Sequence, residues 1–234
     1  MSLQSRLDAF RAGFAQQVLP SGVPLDLHPI ALGALADLLT SRAGDRALQA
    51  GDRAPIFMLT GADGRRLSSA GLVTSGPLVV VFQRGGWCPY DSMELQALQE
   101  ALPAYRAAGA GLVVISPQTA HGARRAVREN GIEFPVLRDP GNKTAASFGL
   151  RYALPANLSA LYREHGFDLA RLNGEASWTL PLTSRFVIGC DGIIRYSEVN
   201  LDLGCRPEPE ALLPMLVSAV AQTRIRAHHL GDGL

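Results

Sequence analysis

Lysine is almost absent from this 234-residue sequence. Lys143 is the only one, and arginine supplies the rest of the 22 basic side chains. They are balanced by 21 acids, for a formal charge of +1. No global field therefore exists to draw in nucleic acid or an anionic membrane. Cysteine is scarce too: Cys88, Cys190 and Cys205 are too few for a disulfide framework and odd in number. Such usage suits a reducing compartment. No apolar run exceeds Leu78 to Phe82, far short of the roughly 20 residues of a membrane span. The first ten residues carry Asp8 and lack an apolar h-region, so they do not read as a secretory signal. A soluble cytoplasmic protein is the expectation. No Walker loop, serine nucleophile elbow or zinc-spaced Cys/His set is present. His28, His121 and His165 stand singly, and His228 and His229 sit in a polar tail. Neither metal nor cofactor is expected. What is plentiful is apolar side chain, 47 % of the chain against 18 % charged, which suffices for a sizeable core and excludes a disordered chain.

Hydrophobic spacing divides the chain. Leu3, Leu7, Phe10, Phe14 and Val18 recur at helical intervals up to Pro20, and Ile30 to Leu39 repeats the pattern. Residues 1–50 thus read as a helical extension for packing or oligomerisation. From Gly51 the texture changes. Strands are expected at Ile56–Leu59, Leu78–Phe82, Leu112–Ile115 and Phe134–Leu137, and a hairpin at Phe186–Ile188 and Ile193–Val199. The run at Leu78–Phe82 is typical of a strand buried on both faces. Helices are expected from Cys88 to about Ala108, from Ala120 to Asn130, in a short piece reaching Phe148, and from Glu208 to Gln222. This order predicts an α/β fold, a mixed β-sheet flanked by helices, over residues 51–225. Residues 151–178 break the rhythm as an insertion, and 226–234 form a polar tail.

One stretch carries reactive chemistry: Arg84-Gly85-Gly86-Trp87-Cys88-Pro89-Tyr90-Asp91. A buried strand ends in a glycine loop, and a cysteine then opens a helix. Proline suits the first helical position, because its missing N–H would have no partner there anyway, which makes Cys88 the N-cap. A thiol so placed faces free backbone N–H groups and the positive end of the helix dipole. Both favour the thiolate, and such sites bring a cysteine pKa from about 8.5 into roughly 3.5–7.5. Gly85 and Gly86 are expected to leave room for a substrate, and Arg84 adds positive charge if it turns inward. A free cysteine is most often a small buried hydrophobe, but this position is where thiol chemistry is usually built.

Several landmarks in order resemble the peroxiredoxin (alkyl hydroperoxide reductase/thiol-specific antioxidant, AhpC/TSA) family. Gly51-Asp52-Arg53-Ala54-Pro55 resembles its opening, and Arg84 to Tyr90 is similar to the active-site loop of its peroxiredoxin-like branch. Ile115 to Gln118, Phe134 to Pro140, Phe148 to Leu150, Phe186 to Tyr196 and Arg206 to Glu210 resemble its later landmarks. The resemblance implies a thioredoxin-like fold and a thiol-dependent peroxidase, with Cys88 as the peroxidatic residue. It implies a hydroperoxide substrate and a sulfenic acid at Cys88. An external thiol reductant (thioredoxin, glutaredoxin or a low-molecular-weight thiol) would then recycle it. Arg84, Arg185 and the helix start at Pro89 are the candidates for stabilising thiolate and transition state. Gly85, Gly86, Trp87, Tyr90 and Asp91 complete the substrate loop. A homodimer is expected from the fold and the apolar N-terminal helices.

Three departures matter. The main family line has threonine and proline where this chain has Gly85 and Val81, as does the branch it resembles. A family arginine is expected near Thr183, and Arg185 lies two residues on, sharing that face of a strand. Relatives in the branch resemble Cys-Pro-Tyr-Cys, whereas this chain has Asp91. Its carboxylate would push the thiol pKa up; screening near a surface loop is expected to let the dipole prevail. Without a second sulfur in the motif, one-cysteine chemistry follows. Cys205 is the better placed of the two remaining cysteines to resolve the sulfenic acid, though both are expected to be structural. The alternatives are a catalytically degenerate redox sensor or protein-binding module, and a thiol-disulfide reductase.

Overall fold

The computed structural model describes residues 1–15 and 28–220. Val18 and Pro20, the last two residues expected in the C-terminal helix, and the tail with His228 and His229 lie outside them. The apolar run Leu78–Phe82 forms β3, buried along its whole length. It pairs in parallel with β4 (Gly111–Ser116), which pairs in parallel with β5 (Val136–Arg138). On the other side β3 pairs antiparallel with β8 (Thr183–Ile188), and β8 with β9 (Ile194–Asn200). β1 (Met58–Gly61) and β2 (Arg66–Ser68) extend the far edge antiparallel, so the order is β2-β1-β5-β4-β3-β8-β9. The mixed sheet matches the expectation. The first strand lies two residues later than expected, and β2 was not foreseen.

The period-two alternation of strands sorts the core onto two faces. Val79, Val81, Val114 and Val187 point toward α4 (Pro89–Ala107) and α5 (Ala120–Glu129), meeting Leu95, Leu98, Leu102 and Tyr105 of α4. Those α4 residues recur at intervals of three and four, the stripe of a helix lying on a sheet. Val80, Phe82, Ile115 and Phe186 point the other way, toward Phe148 and Leu150. Arg185 alternates with Phe186 and so shares the α4 face. It faces Val81 across the β3–β8 pair.

Residues 151–178 are structured. β6 (Arg151–Ala153) pairs with β7 (Thr179–Pro181), and α7 (Ala156–Glu164) and α8 (Leu169–Asn173) lie between them. Leu158, Leu161, Tyr162, Leu169 and Leu180 form a cluster that takes in Trp87 from the cysteine loop and Ile30, Ala31 and Ala34 from α2 (Pro29–Thr40). α1 (Leu3–Ala15) lies against the start of α4, its first two N–H groups donating to the Glu208 carboxylate at 2.8 and 3.0 Å. A carboxylate there satisfies orphan donors and complements the helix dipole. The chain then ends its described part in a single 3-10 turn, Pro209–Leu212, and helix at 213–220. No helix among the described residues is long and apolar enough to cross a membrane.

Candidate active site

Cys88 is the N-cap of α4 and Pro89 its first residue, as the sequence implied. β3 delivers the loop and α4 receives it, so the thiol sits where the sheet ends. The turn closes locally: the Cys88 N–H donates to the Gly85 carbonyl at 2.9 Å, and the Gly86 N–H to Gln118 Oε1 at 3.0 Å. Gly85 has φ 134°, and a Cβ there would stand 2.9 Å from Trp87 Nε1. A Cβ on Gly86 would lie 2.4 Å from the Cβ of Ala126 on α5. The room expected for a substrate is filled by the protein's own side chains. Only glycine tolerates both the backbone angle and the contact.

Asp91 is fully buried, not set near a surface loop. Its Oδ2 accepts the N–H groups of Arg84 and Gly85 at 2.8 and 3.0 Å, and its Oδ1 accepts Arg206 Nη2 at 2.8 Å. It therefore fastens the loop to the helix start, by non-covalent bonds. Arg206 also pairs with Glu94, which lies one turn further along α4. Glu94 in turn accepts Arg185 Nε and Nη2 at 2.8 and 2.6 Å and Gln83 Nε2 at 2.9 Å. Burial works to raise the Glu94 pKa, but Arg206 and Arg185 outweigh it and hold the carboxyl down at about 2. Arg185 gives its third nitrogen to the Pro207 carbonyl at 2.7 Å. Each of its three nitrogens thus donates to Glu94 or Pro207.

Arg84 does turn inward. Its guanidinium lies 4.9 Å from the Trp87 ring centroid and 5.6 Å from that of Tyr162, whose hydroxyl accepts Nη2 at 2.5 Å. Among the described residues it forms no salt bridge, and its Nε has no hydrogen-bond partner.

Cys88 is 2 % exposed, in an apolar cluster with Leu3 and Leu7 of α1 and Tyr90, against which Trp87 and Phe10 pack. Burial and the Asp91 charge push its pKa up to about 11, against the pull of Arg84, Arg206 and the Asp91 N–H. This reverses the expected thiolate. Removing the sulfur from water penalises its charged form more than the nearby cations and donors stabilise it. Asp91, being buried, is not screened. Cys205 is exposed and Cys190 half-buried in the hairpin turn, and all three are free thiols.

Sequence reasoning quoted Arg206 only as part of a family landmark and missed Glu94 altogether. The signal available was Asp91 and Glu94 at a three-residue interval on one helix face, which demands buried cations. Nothing local says which arginines supply them.

The AhpC/TSA family model matches residues 50–197. The chain belongs to the AhpC/TSA family. Among curated relatives, thiol-disulfide oxidoreductase ResA of Bacillus thuringiensis (strain Al Hakam) is 25 % identical over 134 residues, 57 % of this chain and 75 % of the relative. Among solved structures, peroxidoxin BcpB from Mycobacterium tuberculosis superposes with a TM-score of 0.58 at 18 % identity, over 73 % of this chain and 97 % of that one. A yeast mitochondrial 1-Cys peroxiredoxin gives 0.56 at 13 %, over 71 % and 73 %. The sheet is thus that of the thioredoxin-like peroxiredoxin fold, and thiol redox chemistry is the function these relatives share.

Proposed function

We propose that this AhpC/TSA protein is a one-cysteine thiol peroxidase. The observation that carries the reading is the free Cys88 at the start of α4, with the second sulfur of a redox pair replaced by Asp91, a buried anchor of the loop. The Cys88 thiolate attacks one oxygen of a hydroperoxide. The O–O bond breaks, the sulfur becomes a sulfenic acid, and the leaving oxygen takes a proton to depart as water or an alcohol. A first external thiol then displaces hydroxide, released as water, to give a mixed disulfide. A second thiol frees Cys88 and leaves as the oxidised disulfide. Arg84 is the cation best placed for the developing charge, because it is not committed to a carboxylate, whereas Arg185 is held by Glu94. No metal enters this chemistry.

A second reading, a redox sensor without turnover, draws on the closed and protonated state of Cys88. The thiol-disulfide reductase that the ResA likeness suggests would require a second cysteine, and Cys205 is the exposed candidate. One experiment separates the first two. Reduced protein receives one equivalent of hydrogen peroxide, and a dimedone adduct is sought by mass spectrometry, with Cys88→Ser as control. The peroxidase reading expects the adduct at Cys88 and sustained peroxide consumption with dithiothreitol or glutathione. An adduct without turnover favours the sensor. A rate no faster than that of free cysteine overturns the peroxidase.

A further inference from the structure

A cavity of about 350 Å³ opens beside the cysteine loop, between α2, β6, α7 and the segment at 201–203. Its wall is apolar: Leu35 and Leu38 from α2, Leu158 and Tyr162 from α7, Tyr152 from β6, and Leu203. Arg84 also lines it. This residue is only 4 % exposed, forms no salt bridge among the described residues, and keeps its Nε without a partner. The other charged groups of the cavity do not answer it. Arg11 is paired with Asp202, and Asp37 stands exposed on α2.

Burying a cation away from carboxylate is costly unless something compensates. The faces of Trp87 and Tyr162 and the Tyr162 hydroxyl compensate in part. They leave a guanidinium that, among the described residues, has one hydrogen bond, to Tyr162, and no carboxylate, on the lining of a concave apolar space. Apolar walls with one fixed polar group are the usual form of a small-molecule site, and a guanidinium fork matches a carboxylate in geometry and charge.

We propose that this cavity binds a small organic carboxylate with an apolar body, its carboxylate on Arg84 and its body against α2 and α7. The site shares Arg84 with the reaction proposed at Cys88 but does not rest on it, and the proposal stands whether or not the protein is a peroxidase. Isothermal titration of the reduced full-length protein with decanoate, and separately with decan-1-ol, tests it. Decanoate is expected to bind at least tenfold more tightly than the alcohol. Arg84→Gln should weaken decanoate at least tenfold and leave decan-1-ol unchanged. Leu35→Trp, on a residue outside the core clusters, should narrow the cavity and weaken decanoate at least tenfold with the fold retained. Should Arg84→Gln fail to fold, the decanoate-to-decanol ratio and the Leu35→Trp result decide. Equal affinity for both probes, no binding of decanoate, or decanoate affinity untouched by Leu35→Trp overturns the proposal.

Discussion

At Cys88, the helix start and two arginines favour the thiolate, while burial and Asp91 favour the thiol, and the latter pair prevails. The reactive species is the thiolate. Below a pKa of about 11, its fraction rises about tenfold per pH unit. Alkylation of Cys88 by iodoacetamide, followed by mass spectrometry, should therefore accelerate steadily from pH 7 to 10 with no plateau. A plateau near pH 6 would show instead that the helix start dominates. Asp91→Asn provides a second test. It keeps an acceptor for the loop N–H groups but removes the charge that faces the sulfur and Arg206. The titration of Cys88 should move down in pH, while thermal stability falls by about 1–3 kcal/mol for the weakened buried bonds.

Among the elements, α1 has the largest consequence for the site. Its spacing of Leu3, Leu7 and Phe10 reads from sequence as a packing stripe, and the structure places that stripe in one apolar cluster with Cys88. With Cys88 2 % exposed, peroxide reaches the sulfur only if part of this cluster shifts, and α1 supplies two of its buried residues. Leu7→Ala should cost about 2–5 kcal/mol in chemical denaturation, as core Leu→Ala changes do. It should also raise the alkylation rate of Cys88 at constant pH. Leu137→Ala, in the cluster on the opposite face of the sheet, serves as the control and should leave that rate unchanged. Equal acceleration by both would mean that general loosening, and not the α1 cover, controls access.

For the molecule as a whole, the buried charges Asp91, Glu94, Arg185 and Arg206 join α4, β8 and the segment before the last helix. Glu94 titrates at about 2 in the fold and near 4.5 when unfolded. Its contribution to stability is thus complete above pH 4.5 and lost as pH falls toward 2. Glu94→Gln should destabilise the protein by about 3–5 kcal/mol near pH 7, since it leaves Arg185 and Arg206 without their shared anion. The urea midpoint of the variant should change less with pH than that of the wild type between pH 4.5 and 2. Much of this architecture was legible in advance because its signals are local. The apolar run of β3, proline after an N-cap cysteine, and the three-and-four spacing of α1 and α2 each depend on neighbouring residues alone. The early strand was shifted because Ile56 and Phe57 look like strand but precede the paired residues, and β2 is too short to show an alternation. By itself, then, the sequence determined the fold class, the order of elements and the place of Cys88 at a helix start. Only the tertiary structure decided the protonation of that thiol, the anchoring role of Asp91 and the choice of Arg206 and Arg185 as partners of Asp91 and Glu94. Those outcomes depend on burial and on arginines 91 and 115 residues along the chain from the carboxylates they meet, and desolvation acts on a group only once the chain has closed around it.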